Sequence, residues 1–247
     1  MKNFIRKIIY KLQVKLHEKK SKDGAIYLYD NNNSDQLVVV LTGMSADYNY
    51  RRTLSECKDY DALYIKDKWA HGVSYYLYEN GQNYPENHTS NLIEEIKSRK
   101  KYRKIYFVGS SKGGACSLYF GLKHHADVIY SGVGQYRLGD YLGIYHKERN
   151  PKYIEWVSGG RSREEWISIL NTKMKDMVMQ NKDSKTIVYL MYSKLEHTYP
   201  EHTKFLIDEL DECNIKHIDL EEQFTDHWAC GPYFKNLLIN TFYKKEK

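Results

Sequence analysis

The chain reads as one α/β domain, a mostly parallel sheet flanked by helices. Three observations predict it: seven apolar runs of six or seven residues, helical spacing between the later runs, and a glycine-rich junction where one run passes into a helix. Continuously apolar runs suit strands covered on both faces, and their alternation with helices suits right-handed β-α-β crossovers. A length of 247 residues is enough for one sizeable core.

The first element is a basic amphipathic helix over 1–22. Phe4, Ile5, Ile8, Ile9, Leu12 and Leu16 recur at helical spacing, with lysines between them. This stretch carries eight basic residues against Glu18, so the body at 23–247 is left near neutrality although the whole chain is +6. A nucleic-acid-binding body would carry its basic residues in a stripe over the fold, so no nucleic-acid partner is expected. Lysine interrupts every apolar run, which excludes a secretory signal, and a bilayer span needs about 20 mostly apolar residues. Two readings stay open: a helix docked on the domain's own surface, or one lying on an anionic membrane face through residues 2–20.

The strands follow as AIYLYD from Ala25, QLVVVLT from Gln36, DALYIK from Asp61, KIYFVG from Lys104, DVIYSG from Asp127, TIVYLMY from Thr186 and IKHIDL from Ile215. The polar turn DNNNSD after the first of these predicts an antiparallel hairpin with the second at the sheet edge. Helices are expected over 87–101, 112–125, 163–181, 199–213 and 230–244, and the stretch 136–162 as a small irregular cap. The four cysteines are widely spaced, without a metal-type pair, which points to reduced thiols in a cytoplasm and to no metal site. The 24 tyrosines suit an aromatic glycan-binding surface or, more simply, a codon bias.

Gly109-Ser110-Ser111-Lys112-Gly113 is the junction between the fourth run and its helix. It does not suit a phosphate: a P-loop has lysine directly after its last glycine and a hydroxyl next, whereas Lys112 precedes Gly113 and no hydroxyl follows. It matches Gly-X-Ser-X-Gly, in which a sharp strand-to-helix turn lifts the serine to its apex. Side chains two positions either side would collide, so Gly109 and Gly113 are required. Such a serine needs an acid after the next-to-last strand and a histidine after the last. Glu196 and His227 stand at those places, with Asp140 and Asp219 as alternative acids. His197, His202 and His217 precede or lie within the last strand, His124 and His125 end the helix after the junction, and Asp226 adjoins His227 too closely to orient its ring. Oxyanion donors would be the backbone N–H of Lys112 and, beyond the close-approach residue Gly43, that of Met44. Gly43, His71, Tyr136 and Asp140 are candidate substrate contacts, with His88 on an early loop beside them.

With these residues in place, YFVGSSKGGACSLYFGLK, GQYRLGDYL and DHWACGPYF resemble the capsular polysaccharide biosynthesis family XcbB/CpsF. They are also similar to the α/β-hydrolase region of the accessory Sec component that O-acetylates adhesin glycans. The resemblance covers about 36–242 and leaves out the basic leader. It implies an α/β-hydrolase-like fold and a serine-dependent acyl transferase or esterase working on bacterial surface glycan. By position Ser111 matches the nucleophile, His227 the base and Glu196 the acid, a glutamate where many relatives carry aspartate. No bound cofactor is implied; an acyl donor such as acetyl-CoA would be a substrate. Alternative readings are an unrelated small-molecule esterase, thioesterase or peptidase, and a silent module that scaffolds a membrane-bound complex.

Overall fold

The computed structural model describes residues 2–44, 48–145 and 152–243, and the side chains from residue 9 onward. Eight strands form one sheet: β1 (Lys19–Lys20), β2 (Ile26–Asp30), β3 (Gln36–Leu41), β4 (Asp61–Lys66), β5 (Lys104–Ser110), β6 (Val128–Gly132), β7 (Ile187–Tyr192) and β8 (His217–Glu221). They lie in the order β1-β2-β4-β3-β5-β6-β7-β8, and from β4 to β8 every pairing is parallel. One α/β domain results, as the apolar runs predict.

The expected hairpin does not form. β2 pairs antiparallel with β4 instead of β3, Tyr27 opposite Ile65 and Tyr29 opposite Leu63. Asp61, fully buried at the start of β4, explains the detour. Its Oδ1 accepts the N–H of Asn32 at 2.9 Å and of Ser34 at 3.1 Å, while Asn32 Nδ2 donates to Tyr60 O at 2.6 Å. The polar turn is thus wrapped over the end of β4, and β2 emerges beyond it.

Each face of the sheet carries its own core. Leu37, Val39 and Leu41 of β3 point to one side, beneath α3 (Tyr84–Ser98), α4 (Lys112–Lys123), α7 (Arg163–Gln180) and α8 (Lys204–Glu212). Val38 and Val40 point to the other, beneath α2 (Arg51–Leu54) and α9 (Cys230–Phe242). Every one of these five side chains is buried, each contributing about 1.5–3 kcal/mol. The periodicity places α3, α4, α7, α8 and α9 within a few residues but not α2; α8 is preceded by a π-turn at Tyr199–Thr203, and residue 244 lies outside the described residues.

The cap is more regular than expected. It contains α5 (Leu138–Asp140), a π-turn at Tyr141–Tyr145 and α6 (Lys152–Ser158), with 146–151 outside the described residues. Ile154 and Val157, one turn apart, bury on α6. Gly139 lets α7 pass close by, since a Cβ there would stand 2.0 Å from Ile167 O.

The leader forms α1 (Lys2–His17) and lies against the body. Val14 packs on the second core, and the Arg52 guanidinium sits 4.1 Å from the Tyr10 ring centroid. The docked reading therefore holds for that face; Phe4, Ile5 and Ile8 lie outside the described side chains. All four cysteines are free and buried, and among the described residues no helix is long and apolar enough to cross a membrane.

Candidate active site

Ser111 stands alone between β5 and α4, with φ 56° and ψ −128°. A side chain rarely adopts that conformation, and holding one there costs about 1–3 kcal/mol. The surrounding glycines make it possible: a Cβ on Gly109 would meet Gly113 O at 2.2 Å, and one on Gly113 would meet Leu41 O at 2.4 Å. The N–H of Ser111 donates to Gly132 O at 2.8 Å, which ties the elbow to the end of β6.

His227 opens a short 3-10 turn just before α9. Asp226 caps that turn, its Oδ1 accepting the N–H of Trp228 at 2.7 Å, so it takes no part in orienting the ring. His227 Nδ1 is 2.9 Å from Glu196 Oε1, and its Nε2 is 2.8 Å from Ser111 Oγ. A carboxylate only accepts, so Nδ1 carries the proton and Nε2 offers its lone pair to the serine O–H.

Glu196 is buried after β7. Burial alone would raise its pKa, but hydrogen bonds from His227 and Thr198, with the charge of His197, outweigh it and hold the carboxyl below its usual range. Oε2 accepts the Thr198 N–H at 3.0 Å and the Thr198 hydroxyl as well. His197 Nε2 reaches Oε1 at 3.0 Å. Three potential metal-ligand atoms, from Glu196, His197 and His227, lie within 4.8 Å of one another. The hydrogen bonds linking them account for the cluster as a proton-handling group.

The expected oxyanion donors, Lys112 and Met44, follow the elbow serine and Gly43 in the chain. Lys112 is the first residue of α4, where an N–H has no partner within the helix. Its side chain turns away: Nζ pairs with Asp67 at 2.8 Å and donates to Gly72 O at 2.8 Å, buried throughout. Gly43 donates its N–H to Asn49 Oδ1 at 2.6 Å, and a Cβ there would come 3.7 Å from Ser110 O, so the turn leading to Met44 runs beside the elbow.

The other candidates make contacts of their own. Tyr136 is buried and lines a cleft with Asn171 of α7 and Phe205 and Glu209 of α8. Asp140 is taken up by Arg137 at 2.5 Å and Asn171 at 2.8 Å, which pins the cap. Asp219 is exposed and pairs with His217. His71 is exposed, its ring tilted against Trp156 with centroids 4.3 Å apart, one residue from the carbonyl that holds Lys112. His88 belongs to α3, beside Trp69 and Tyr84, where its turn of helix faces the core. His202 is fully buried among Tyr141 and Tyr145.

Residue-type reasoning missed a supporting layer. Gln135, fully buried, donates from Nε2 toward Ser111 Oγ at 3.4 Å, and its Oε1 accepts the Tyr75 hydroxyl at 3.1 Å. The Tyr76 hydroxyl donates to Ile65 O at 2.7 Å and accepts the Thr42 N–H at 3.0 Å. Tyr50 shares a 2.5 Å hydrogen bond with Ser110. The available signal for Gln135 was its place directly after β6, in the GQYRLGDYL segment.

No protein-family model and no curated protein matches the chain. Among solved structures it is similar to the capsule O-acetyltransferase of Neisseria meningitidis serogroup A, with TM-score 0.76, 16% identity and coverage of 92% of this chain and 94% of that one. A histidine-to-alanine mutant of that enzyme in complex with CoA also matches, with TM-score 0.70, 18% identity and coverage of 90% and 94%. The Gap123 glycosylation-associated complex of Streptococcus agalactiae gives TM-score 0.71 and 18% identity over 93% of this chain and 47% of that one. A fluorophosphonate-binding serine hydrolase of Staphylococcus aureus gives TM-score 0.63 and 13% identity over 92% and 97%. At these identities the likeness establishes the fold alone, an α/β-hydrolase-like, mostly parallel sheet flanked by helices.

Proposed function

We propose that the chain is a serine-dependent acyl transferase or esterase that moves O-acyl groups, acetyl above all, on bacterial surface or capsular glycan or its precursor. One observation carries the chemistry: His227 spans from Ser111 Oγ at 2.8 Å to Glu196 at 2.9 Å, beside the first N–H of α4. The glycan assignment draws on the XcbB/CpsF-like motifs and on two fold neighbours, a capsule O-acetyltransferase and a glycosylation-associated complex.

In this mechanism Ser111 Oγ attacks the acyl carbonyl while His227 Nε2 takes its proton, and Glu196 holds the ring in the productive tautomer and stabilises the imidazolium. The carbonyl oxygen becomes an oxyanion that accepts from the N–H groups of Lys112 and Met44, each donor supplying about 3 kcal/mol of transition-state stabilisation. Collapse expels the thiolate or alkoxide, which leaves with the proton from His227. A sugar hydroxyl then gives its proton to His227 and attacks the acyl-serine, and collapse returns the proton to Ser111. Water in place of the sugar gives hydrolysis. A thioester such as acetyl-CoA suits the donor role, as a substrate rather than a resident cofactor; the CoA complex of the fold neighbour supports this choice.

The test has two stages. A fluorophosphonate probe is expected to label wild type and not Ser111→Ala, with the adduct mapping to Ser111; equal labelling of both would overturn the mechanism. Acetyl-CoA with capsular oligosaccharide is then expected to release free thiol and acetylated sugar together. Thiol release unaffected by any glycan would point instead to a small-molecule thioesterase.

A further inference from the structure

α1 presents two apolar rows, and the body covers only one. Tyr10 and Val14 form the docked row, under Arg52 and against the second core. Ile9, Leu12 and Leu16 form the other: they fall within about 60° of one another around the helix axis, on the side opposite Val14. They are 49%, 56% and 79% exposed, a stripe of large aliphatic side chains set in water.

The charges beside that stripe have one sign. Exposed Lys15 borders it beside Leu12, exposed Lys11 lies farther round the helix, and Lys19 and Lys20 extend the basic surface onto β1. Glu18, the sole carboxylate within residues 1–22, is turned inward, where its Oε1 accepts the Tyr48 hydroxyl at 2.7 Å. An apolar row bordered by lysines, with no exposed carboxylate in the segment, has the composition of a helix lying in a membrane interface. A helix whose only task was to dock would place polar residues on its outer row.

We infer that α1 seats the protein on an anionic lipid surface, with the row of Ile9, Leu12 and Leu16 entering the headgroup region while the row of Tyr10 and Val14 stays on the body. The two readings of the leader are then two faces of one helix. Aliphatic contact and lysine attraction act together: single-row burial alone is weak, and basic residues near an anionic surface strengthen it in a salt-sensitive way. The occupant is lipid, since a protein partner for a lysine-bordered stripe would need a matching acidic groove, whereas anionic headgroups supply that charge everywhere.

The experiment uses the full chain as Ser111→Ala, so its outcome is independent of catalysis. Cosedimentation is measured with vesicles of phosphatidylcholine containing about one quarter phosphatidylglycerol, and with phosphatidylcholine alone, at low salt and at about 0.5 M salt. Binding to the anionic vesicles is expected to exceed binding to the neutral ones at least tenfold and to weaken with salt. The variant Ile9→Ser/Leu12→Ser/Leu16→Ser and the variant Lys11→Glu/Lys15→Glu are each expected to lose tenfold or more, with unchanged thermal melting, because all five side chains are exposed. Retention by both variants, equal binding to neutral vesicles, or no binding by the starting protein overturns the inference. So does a wild-type dimer in sedimentation that the triple serine variant abolishes without effect on lipid binding.

Discussion

His197 and Glu196 meet at 3.0 Å, the imidazole Nε2 on the same carboxylate oxygen that faces His227. The other nitrogen of His197 reaches Glu201 at 3.0 Å, so the ring bridges two carboxylates at the edge of the site. Its charge is among the forces that hold the Glu196 carboxyl low. His197 is half exposed, so its influence is screened by solvent. His197→Gln is therefore expected to lower kcat for an activated acetyl ester only about three- to tenfold, and to move the acid limb of the pH–rate profile upward as the Glu196 carboxyl rises. Glu196→Gln is expected to cost about a thousandfold or more. A His197→Gln profile superimposing on wild type would remove the role assigned to the bridge.

The conformation of Ser111 stores energy that glycine would release. Ser111→Ala keeps the unfavourable φ of 56°, whereas Ser111→Gly relaxes it. Strain relief of about 1–3 kcal/mol outweighs the extra chain entropy of glycine, about 0.5–1 kcal/mol. Urea unfolding is expected to show Ser111→Gly more stable than Ser111→Ala by about 1 kcal/mol, both inactive. The reverse order would mean that the elbow is not strained.

Gly113→Ala tests the steric basis of the motif. The new Cβ would lie 2.4 Å from Leu41 O, a backbone atom in the central strand that cannot swing aside. A loss of about 3 kcal/mol or more is expected, seen as a large fall in the urea midpoint. Gly231→Ala is the control, since nothing lies within 4 Å of a Cβ there, and it should be nearly neutral.

His124 gives the fold a defined acid sensitivity. Burial pushes its pKa down to about 4, against the opposing pull of Glu94 at 2.6 Å and with help from the charges of Lys97 and Lys123. Its folded pKa lies below the unfolded value near 6.5, so the unfolded chain binds more protons between them. The stabilising contribution is complete above about pH 6.5 and is lost as pH falls toward 4, up to about 3 kcal/mol. His124→Gln is expected to flatten that part of the stability–pH curve in urea unfolding at several pH values. An unchanged slope would show that the imidazole is not buried neutral.

The legible parts of the molecule are those governed by local sterics or by chain order. The elbow is legible because only glycine fits at 109 and 113. Glu196 and His227 are legible because they stand directly after β7 and before α9, where a doubly covered sheet opens its carboxyl edge. β2 is misread as the partner of β3 because its neighbour is chosen by hydrogen bonds that the turn donates to Asp61, about thirty residues away in the chain. The supporting loop after β4 carries even less signal. Ala70, His71, Tyr75 and Tyr76 all adopt positive φ without being glycine, in a loop held by hydrogen bonds of Asp67, Tyr75 and Tyr76 among others.

The ion pair of Lys112 with Asp67 has a kinetic corollary. It moors the amide next to the nucleophile to a segment that performs no chemistry, through a linkage shut off from solvent. A small drift of that segment would tilt the amide before it disturbed the bound ground state. Variation at Asp67 should thus register in turnover ahead of affinity, making a distant carboxylate the regulator of how well a fleeting negative charge is received.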